Sequence, residues 1–144
     1  MKYQLYRKNW SLSNGEGANE HIAKFCKGSI LNVFCGKSKL GDLRLDLDPT
    51  VEPDLVMDCV NGFTIPKYSY DTVVMDPPFS YYNRFKWILN ISDCARKRLI
   101  VSVPHMMIRL KEFELTDIIN VVMSTGFYIR VWLVFDRKNE PLIK

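Results

Sequence analysis

The stretch that decides the fold is TVVMDPPF, residues 72–79 of this 144-residue chain. Its first four residues form an apolar run typical of a buried strand, and the strand stops at an acid, two prolines and an aromatic ring. Because a residue before a proline is held in extended geometry, Asp76 and Pro77 are predicted to be stretched out at the strand end. The stretch therefore predicts a rigid, extended segment with polar acceptors beside an aromatic ring.

Two acceptors and a ring at one strand end suit a planar ligand that carries an exocyclic amine. The Asp76 side chain and the Pro77 carbonyl can accept the amine hydrogens while Phe79 stacks on the heterocycle. Such an amine is a poor nucleophile because its lone pair is conjugated with the ring. Hydrogen-bond acceptors that hold its hydrogens favour attack of the amine nitrogen on an electrophile. This is methyl-acceptor chemistry. The alternative is a purely structural turn, with Phe79 in the core.

Strand and helix patterns follow one another along the chain. Strands are predicted at 29–35, 42–48, 54–58, 71–75, 99–103 and 128–135, whereas residues 1–17 end in a loop signal. One helix is predicted from Ala18 to a C-cap at Gly28. A second helix is predicted after the proline turn, with Phe85, Ile88 and Leu89 on one face. A third is predicted at 115–123 and ends at Gly126; its apolar stripe consists of Leu115, Ile118, Ile119, Val122 and Met123. The order predicts a mostly parallel α/β sheet in a single domain, 1–144.

The linkers between the first three of these strands, at 36–41 and 49–53, are too short to hold a crossover helix. In addition, leucines alternate with charged residues over 42–48, which indicates a strand buried on one face. We therefore expect this part of the sheet to lack covering helices on one side.

Composition sets broad limits on function. The chain has a net charge of +4, with 47% hydrophobic and 25% charged residues, as in an ordinary globular domain, and this mild charge permits a polyanionic partner without requiring one. The four cysteines include no C-x-x-C pair and are predicted to be buried, reduced thiols, and no structural metal site is expected. No apolar run approaches a membrane span and no signal-peptide core follows Met1, so we expect a cytoplasmic protein.

Ligands of α/β sheets bind where the parallel strands end, and four features fall at that edge. They are the turn Phe34-Cys35-Gly36, the acids Asp46 and Asp48, the acid Asp58, and Asp76 with the residues that follow it. A glycine lets a ligand approach the backbone, an acid after the second strand can accept ribose hydroxyls, and an acid after the third can accept an adenine amine. The series predicts a nucleoside-cofactor site, although each acid alone could be a turn acid facing solvent.

With these residues the chain resembles the S-adenosylmethionine-dependent amino-methyltransferases, which methylate exocyclic nitrogens of adenine, cytosine or guanine in nucleic acids. The resemblance spans about residues 18–136. Asp76-Pro77-Pro78-Phe79 matches the family's catalytic D/N-P-P-Y/F/W signature, and Asn32-Val33-Phe34-Cys35-Gly36 is similar to its strand and glycine turn.

The resemblance implies S-adenosyl-L-methionine as cofactor and assigns a role to each matching residue. The methionine part would lie against Phe34, Cys35, Gly36, Lys37 and Ser38; the ribose against Asp46, with Asp48 as a second candidate; and the adenine ring against Asp58, Cys59 and Val60. Catalysis would fall to Asp76, Pro77, Pro78 and Phe79, with Phe79 stacked on the flipped base. Tyr81 and Tyr82 would extend the aromatic surface on which the base stacks, or pack beneath the following helix.

The chain departs from the family at Ser38, where a second glycine is usual, and in the two missing helices. The implied fold is a class I, Rossmann-like methyltransferase sheet with the helices between its strands one and two, and two and three, reduced or missing. The expected substrate is nucleic acid, with N6 of adenine in DNA ahead of N2 of guanine in RNA. One hypothesis is that a second copy, or a partner subunit, covers the open sheet edge.

Two other functions compete with this one. Gly36-Lys37-Ser38 after a strand looks like the end of a phosphate-binding loop, but Leu31 stands where that loop needs glycine and no helix is predicted after Ser38. A nucleic-acid-binding or structural protein could also use the same fold without catalysis. The missing helices favour this second alternative, and the intact Asp76-Pro77-Pro78-Phe79 argues against it.

Overall fold

The computed structural model describes residues 2–8, 21–78, 86–104, 108–123 and 129–141. Its strands are Lys2–Lys8 (β1), Ile30–Val33 (β2), Leu43–Asp46 (β3), Leu55–Val56 (β4), Tyr70–Met75 (β5), Ala95–Val103 (β6), Phe113–Met123 (β7) and Ile129–Arg137 (β8). They form one eight-stranded sheet in the order β1-β7-β8-β6-β5-β2-β3-β4. A 3-10 helix at Pro49–Val51 and an α-helix at Lys86–Ser92 (α1) lie between strands.

The sheet is mixed, so the prediction of a mostly parallel sheet is wrong. The pairings β1–β7, β2–β3, β2–β5, β3–β4 and β5–β6 are parallel. Strand β8 runs antiparallel to both of its neighbours, β6 and β7. Only residues 124–128 separate β7 from β8, which is too few for a parallel crossover, so β8 must turn back along β7.

The helix predicted at 115–123 is wrong, because these residues belong to β7. The register of β7 against β8 shifts between Leu115 and Asp117, as at a β-bulge. The extra residue changes the alternation, so Leu115 and Ile118 pack against the same core cluster while Ile119 packs against the other. A bulge therefore produces the i, i+3 spacing that imitates a helical stripe.

Strand β1 is a second departure, since no strand was predicted within residues 1–17. It pairs in parallel with β7 and forms one edge of the sheet. The opposite edge is β4, whose two residues, Leu55 and Val56, are both exposed. The sheet thus has an additional edge strand, β1, that was not predicted, and its other edge is a strand of only two residues.

Each face of the sheet has its own apolar cluster. On one face, α1 packs Trp87, Ile88 and Ile91 against β5, β6 and β8. Leu89 is 56% exposed, so its predicted place beside Ile88 on the buried side is wrong, and Phe85 lies outside the described residues. On the other face, the fully buried Ile22 lies in a helical segment at 21–23 that precedes Gly28, as predicted; Ala18 and Gly126 lie outside the described residues.

The missing crossover helices are confirmed. Residues 34–42 join β2 to β3 through turns alone, and residues 47–54 join β3 to β4 with only the 3-10 helix between them. No helix in the described part of the chain is long and apolar enough to cross a membrane.

The four cysteines are free thiols, as predicted, and three of them are buried. Burial raises the pKa of Cys35 to about 11 and that of Cys94 to about 12. These thiols therefore stay protonated near neutral pH and behave as small apolar side chains.

Candidate functional site

A cavity of about 330 Å³ opens at the carboxyl ends of β2 to β5 and joins most of the predicted site residues. Those that line it are Phe34, Cys35, Gly36, Lys37, Ser38, Asp46, Asp58, Cys59, Val60, Asp76 and Pro78. Asp48 and Pro77 are not among the lining residues. Phe79, Tyr81 and Tyr82 lie outside the described residues, so their predicted contacts with a base stay predictions.

The turn after β2 is built from unusual backbone angles. Phe34 has φ 57° and Gly36 has φ 52°, both in the left-handed region. A bulky aromatic residue seldom adopts this conformation, and here the Phe34 ring is held edge-on against Trp87, with 5.4 Å between ring centroids. Beside it, a Cβ atom added at Gly36 would meet no atom within 4 Å. The turn thus leaves open space against the Gly36 backbone, where a ligand can approach closely.

Asp46 lies at the end of β3 and joins two turns through its carboxylate. Its Oδ2 accepts the Gly36 N–H at 2.8 Å, and its Oδ1 accepts the Asp48 N–H at 3.0 Å. Each carboxylate oxygen has a further lone pair, so the group can also accept a ligand hydroxyl. The predicted ribose acid is therefore at the cavity and is held rigidly by the turn that would contact the rest of the cofactor.

Asp48 has a local structural role instead. Its Oδ1 accepts the Thr50 N–H at 2.9 Å and the Thr50 hydroxyl at 2.7 Å, so it caps the 3-10 helix. These hydrogen bonds lower the pKa of Asp48, which is exposed. The structure therefore separates the two ribose candidates and leaves Asp46 as the one at the cavity.

Asp58 also organises a turn. Its Oδ1 accepts the backbone N–H groups of Val60 and Asn61, each at 3.1 Å, and the Asn61 hydrogen bonds lower its pKa. The carboxylate lies at the cavity with Cys59 and Val60. Asp58 is thus ionised at neutral pH and available at the cavity wall as an acceptor.

Ser38, the position where the resemblance would expect a glycine, forms hydrogen bonds within the wall of the cavity. Its hydroxyl accepts the side-chain N–H of the buried Asn32 at 3.2 Å and the Leu40 N–H at 3.2 Å. These bonds fasten the turn to β2. Asn32 also lines the cavity and was not among the predicted contact residues.

Asp76 lies at the far side of the cavity, beside a cation. The Arg130 Nη2 lies 3.1 Å from the Asp76 Oδ1, and the side chains are 22% and 25% exposed. Burial raises the pKa of the Asp76 carboxyl; the Arg130 charge and a hydrogen bond from Ser102 oppose this effect without cancelling it. The acid of the Asp-Pro-Pro-Phe stretch is therefore a desolvated carboxyl with a built-in counter-ion.

Two cavity residues from β8, Arg130 and Trp132, could not be found from the sequence. They fall outside any motif, more than 50 positions after Asp76, and only the insertion of β8 beside β6 brings them near it. Trp132 is 2% exposed, and its indole nitrogen has no hydrogen-bond partner among the described residues. A buried N–H without a partner is costly, so a ligand acceptor in this cavity would satisfy it.

Comparisons with known proteins find no matching protein family and no curated relative. The fold does match solved structures. One is a protein of Listeria monocytogenes provisionally assigned as an S-adenosylmethionine-dependent methyltransferase; it superposes with a TM-score of 0.62 at 9% sequence identity, covering 86% of this chain and 100% of that one. At this identity the match concerns the fold alone: this chain has a methyltransferase-like α/β fold with few helices.

Proposed function

We propose that the protein is an S-adenosylmethionine-dependent methyltransferase that acts on an exocyclic amine of a nucleic-acid base. The observation that carries this proposal is the shared cavity. It joins the open glycine turn and the strand-end acids on one side to Asp76 and Pro78 on the other. A cofactor on the first side would face an amine held on the second.

The residues present fit the cofactor. The open backbone at Gly36 accommodates its methionine part, the rigid Asp46 carboxylate can accept ribose hydroxyls, and the ionised Asp58 can accept the adenine amine. The cavity, about 330 Å³, is within the usual size range of small-molecule sites. When bound, S-adenosylmethionine supplies a methyl group whose bond to the positively charged sulfur breaks as the amine nitrogen takes the carbon.

In this proposal the chain orients the amine and removes its surplus proton. The Asp76 carboxylate accepts an amine hydrogen before transfer and takes the proton that the methylated nitrogen releases, for return to water. The predicted second acceptor is the Pro77 carbonyl. Pro77 is described but is not among the residues that line the cavity, so this role stays a prediction.

Adenine N6 in DNA is the target that we propose first. Asp76 supplies an acceptor and Trp132 supplies a buried N–H that has no partner within the part of the chain that the structure describes, and both line the same cavity. This pair complements an amine beside a ring nitrogen acceptor, as at adenine N6 with N1 or N7 and cytosine N4 with N3. The Watson–Crick edge of guanine places its N2 amine beside the N1–H donor, so guanine could match this pair only through N3 on its opposite edge.

Calorimetry followed by labelled methyl transfer tests the proposal. S-adenosylmethionine should bind the protein, ATP with magnesium should not, and Asp46→Ala should weaken binding. Protein with bound cofactor should then methylate adenine-containing DNA, and Asp76→Ala should lower the rate about a hundredfold or more with cofactor binding retained. Glu114→Gln, an exposed acid of β7 away from the cavity, is the matched control and should keep both properties. Unchanged turnover of Asp76→Ala would contradict the role of Asp76.

One observation favours a second candidate, a nucleic-acid-binding protein without catalysis. The Arg130 Nη2 lies 3.1 Å from one oxygen of Asp76, so the carboxylate has an ion-pair partner before any substrate arrives. Cofactor binding without methyl transfer to DNA or RNA, together with nucleic-acid binding, would support this candidate over the enzyme.

We also propose that a second copy of the chain covers the β4 edge of the sheet. Leu47, Leu55 and Val56 are 56%, 45% and 57% exposed there, and exposed apolar side chains at a sheet edge favour association with another chain. Light scattering should give the mass of a dimer, and Val56→Glu should give that of a monomer. A monomer in the unmodified protein at high concentration would argue against this partner.

The free, buried thiols support the cytoplasm as the proposed location, because a reducing compartment preserves them. Alkylation of freshly lysed cells under denaturing conditions should label all four cysteines. Protection of a pair would contradict this location.

A further inference from the structure

The ion pair between Arg130 and Asp76 is set by the sheet itself. Met75 pairs with Val101 and Ser102 pairs with Trp132, so Asp76, Ser102 and the β8 residues lie side by side on three neighbouring strands. Arg130 is two positions from Trp132 and therefore projects from the same face of β8. The 3.1 Å contact with Asp76 thus joins groups whose positions are fixed by strand register rather than by a loop.

The surroundings of Asp76 disfavour its ionised form. Removal from water favours a protonated carboxyl, which would donate a hydrogen where the amine requires an acceptor. Within the described residues, the other charged groups lining the cavity are Lys37 from the turn after β2, Asp46 from β3 and Asp58 from the segment after β4. Of all these charges, only Arg130 affects the pKa of Asp76, and the neutral Ser102 hydroxyl of β6 adds a hydrogen bond. Arg130 is therefore the one charge in the described cavity that keeps Asp76 ionised.

We propose that Arg130 is a positioning residue for methyl transfer: its guanidinium keeps the Asp76 carboxylate ionised and fixed at the cavity wall, ready to accept a hydrogen of the target amine. The inference rests on the proposed function. Arg130 acts through Asp76 and is not assigned a contact with the reacting atoms. The predicted consequence is that, without the Arg130 charge, the Asp76 carboxyl keeps its proton up to a higher pH. The reaction then requires alkaline pH.

The first test needs no substrate. Carbon-13 NMR follows the Asp76 carboxyl during a pH titration of the full chain, with the resonance assigned by its loss in Asp76→Asn. The midpoint should rise by about 1 to 3 pH units in Arg130→Met, because an opposite charge nearby lowers a carboxyl pKa by that amount. Arg130→Lys should return most of the change, and Lys37→Met, which removes another cavity cation, should leave the midpoint in place. An unchanged midpoint in a folded Arg130→Met variant overturns the inference.

The second test uses methyl transfer to the best substrate found for the unmodified protein. In Arg130→Met, the acidic limb of the kcat profile should move to higher pH with KM for S-adenosylmethionine unchanged, and the rate should recover at alkaline pH. A uniform loss of rate at every pH indicates a purely structural Arg130 and overturns the inference. Lack of transfer by the unmodified protein would count against the proposed function, whereas the carboxyl titration still decides whether Arg130 controls Asp76.

Discussion

Two regions of this sheet are held together by different forces. In the packed region, β5, β6, β8 and α1, most strand residues are buried: Val73, Leu99, Ile100 and Leu133, for example, are fully so. In the turn-held region, residues 34–62, the stretch 43–56 buries only Leu45. There, aspartate side chains accept backbone N–H groups instead, namely Asp42, Asp46, Asp48, Asp54 and Asp58.

The difference changes what an acid at a strand end signifies. All five aspartates have a structural partner, so a carboxylate in this region is not by itself a sign of a ligand. Position at the cavity separates Asp46 and Asp58 from the other three. The comparison also predicts that packing dominates stability in one region and that charge-assisted hydrogen bonds dominate in the other.

The largest effect should follow from a cavity in the packed region. Leu133→Ala removes a fully buried side chain between both neighbours of β8 and should lower the free energy of unfolding by about 3 to 5 kcal/mol. Leu55→Ala, at a side chain 45% exposed on β4, should change it by less than about 0.5 kcal/mol. Urea unfolding of both variants measures the contrast, and equal losses would remove the distinction between the regions.

The two glycines on either side of β2 should respond differently to the same change. Gly28 and Gly36 have φ 57° and 52°, so alanine is strained at both. A Cβ at Gly28 would overlap the Asp71 carboxylate, which accepts the Ser29 N–H and the Arg96 Nε–H. We expect Gly28→Ala to cost about 3 kcal/mol and Gly36→Ala about 1 kcal/mol in urea unfolding. Similar losses would mean that backbone angle alone sets the cost.

Asp46→Ala should cost about 1.5 to 3 kcal/mol, because it removes a charged acceptor from two backbone N–H groups. Hydrogen exchange should show faster exchange at Gly36 and Asp48 with little change in β6. Asp46→Asn keeps one oxygen acceptor and should lose less. Faster exchange throughout β6 would show that the turn-held region is not an independent unit.

The smallest effect concerns acid pH in the packed region. The Arg98 hydrogen bonds, at 2.7 and 3.0 Å, lower the pKa of Asp136, so this pair stabilises the fold above the unfolded value and loses that contribution as pH falls through the folded value. Asp136→Asn should cost about 1 kcal/mol at pH 7, and the difference from the unmodified protein should shrink below about pH 3.5. A difference that grows on acidification would contradict the assigned sign.

The strand ends were predictable because they depend on local chemistry. Prolines and a glycine end these two strands in the sequence, and the cavity brings Asp76 and Pro78 together with Gly36. Strand β7 was not predictable, because its bulge between Leu115 and Asp117 gives strand residues a helical spacing. Arg130 and Trp132 were not predictable either, since strand order, which no local pattern records, places them beside Asp76.

Strand β1 has a consequence for synthesis of the protein. Each of its residues pairs with one 115 positions later, from Lys2 with Asp117 to Lys8 with Met123. The β1 segment is therefore synthesised long before the strand that it pairs with, and contacts of such long sequence separation form slowly. Until β7 has been synthesised, β1 lacks its partner strand, so during this period a chaperone or another nascent copy can bind to β1.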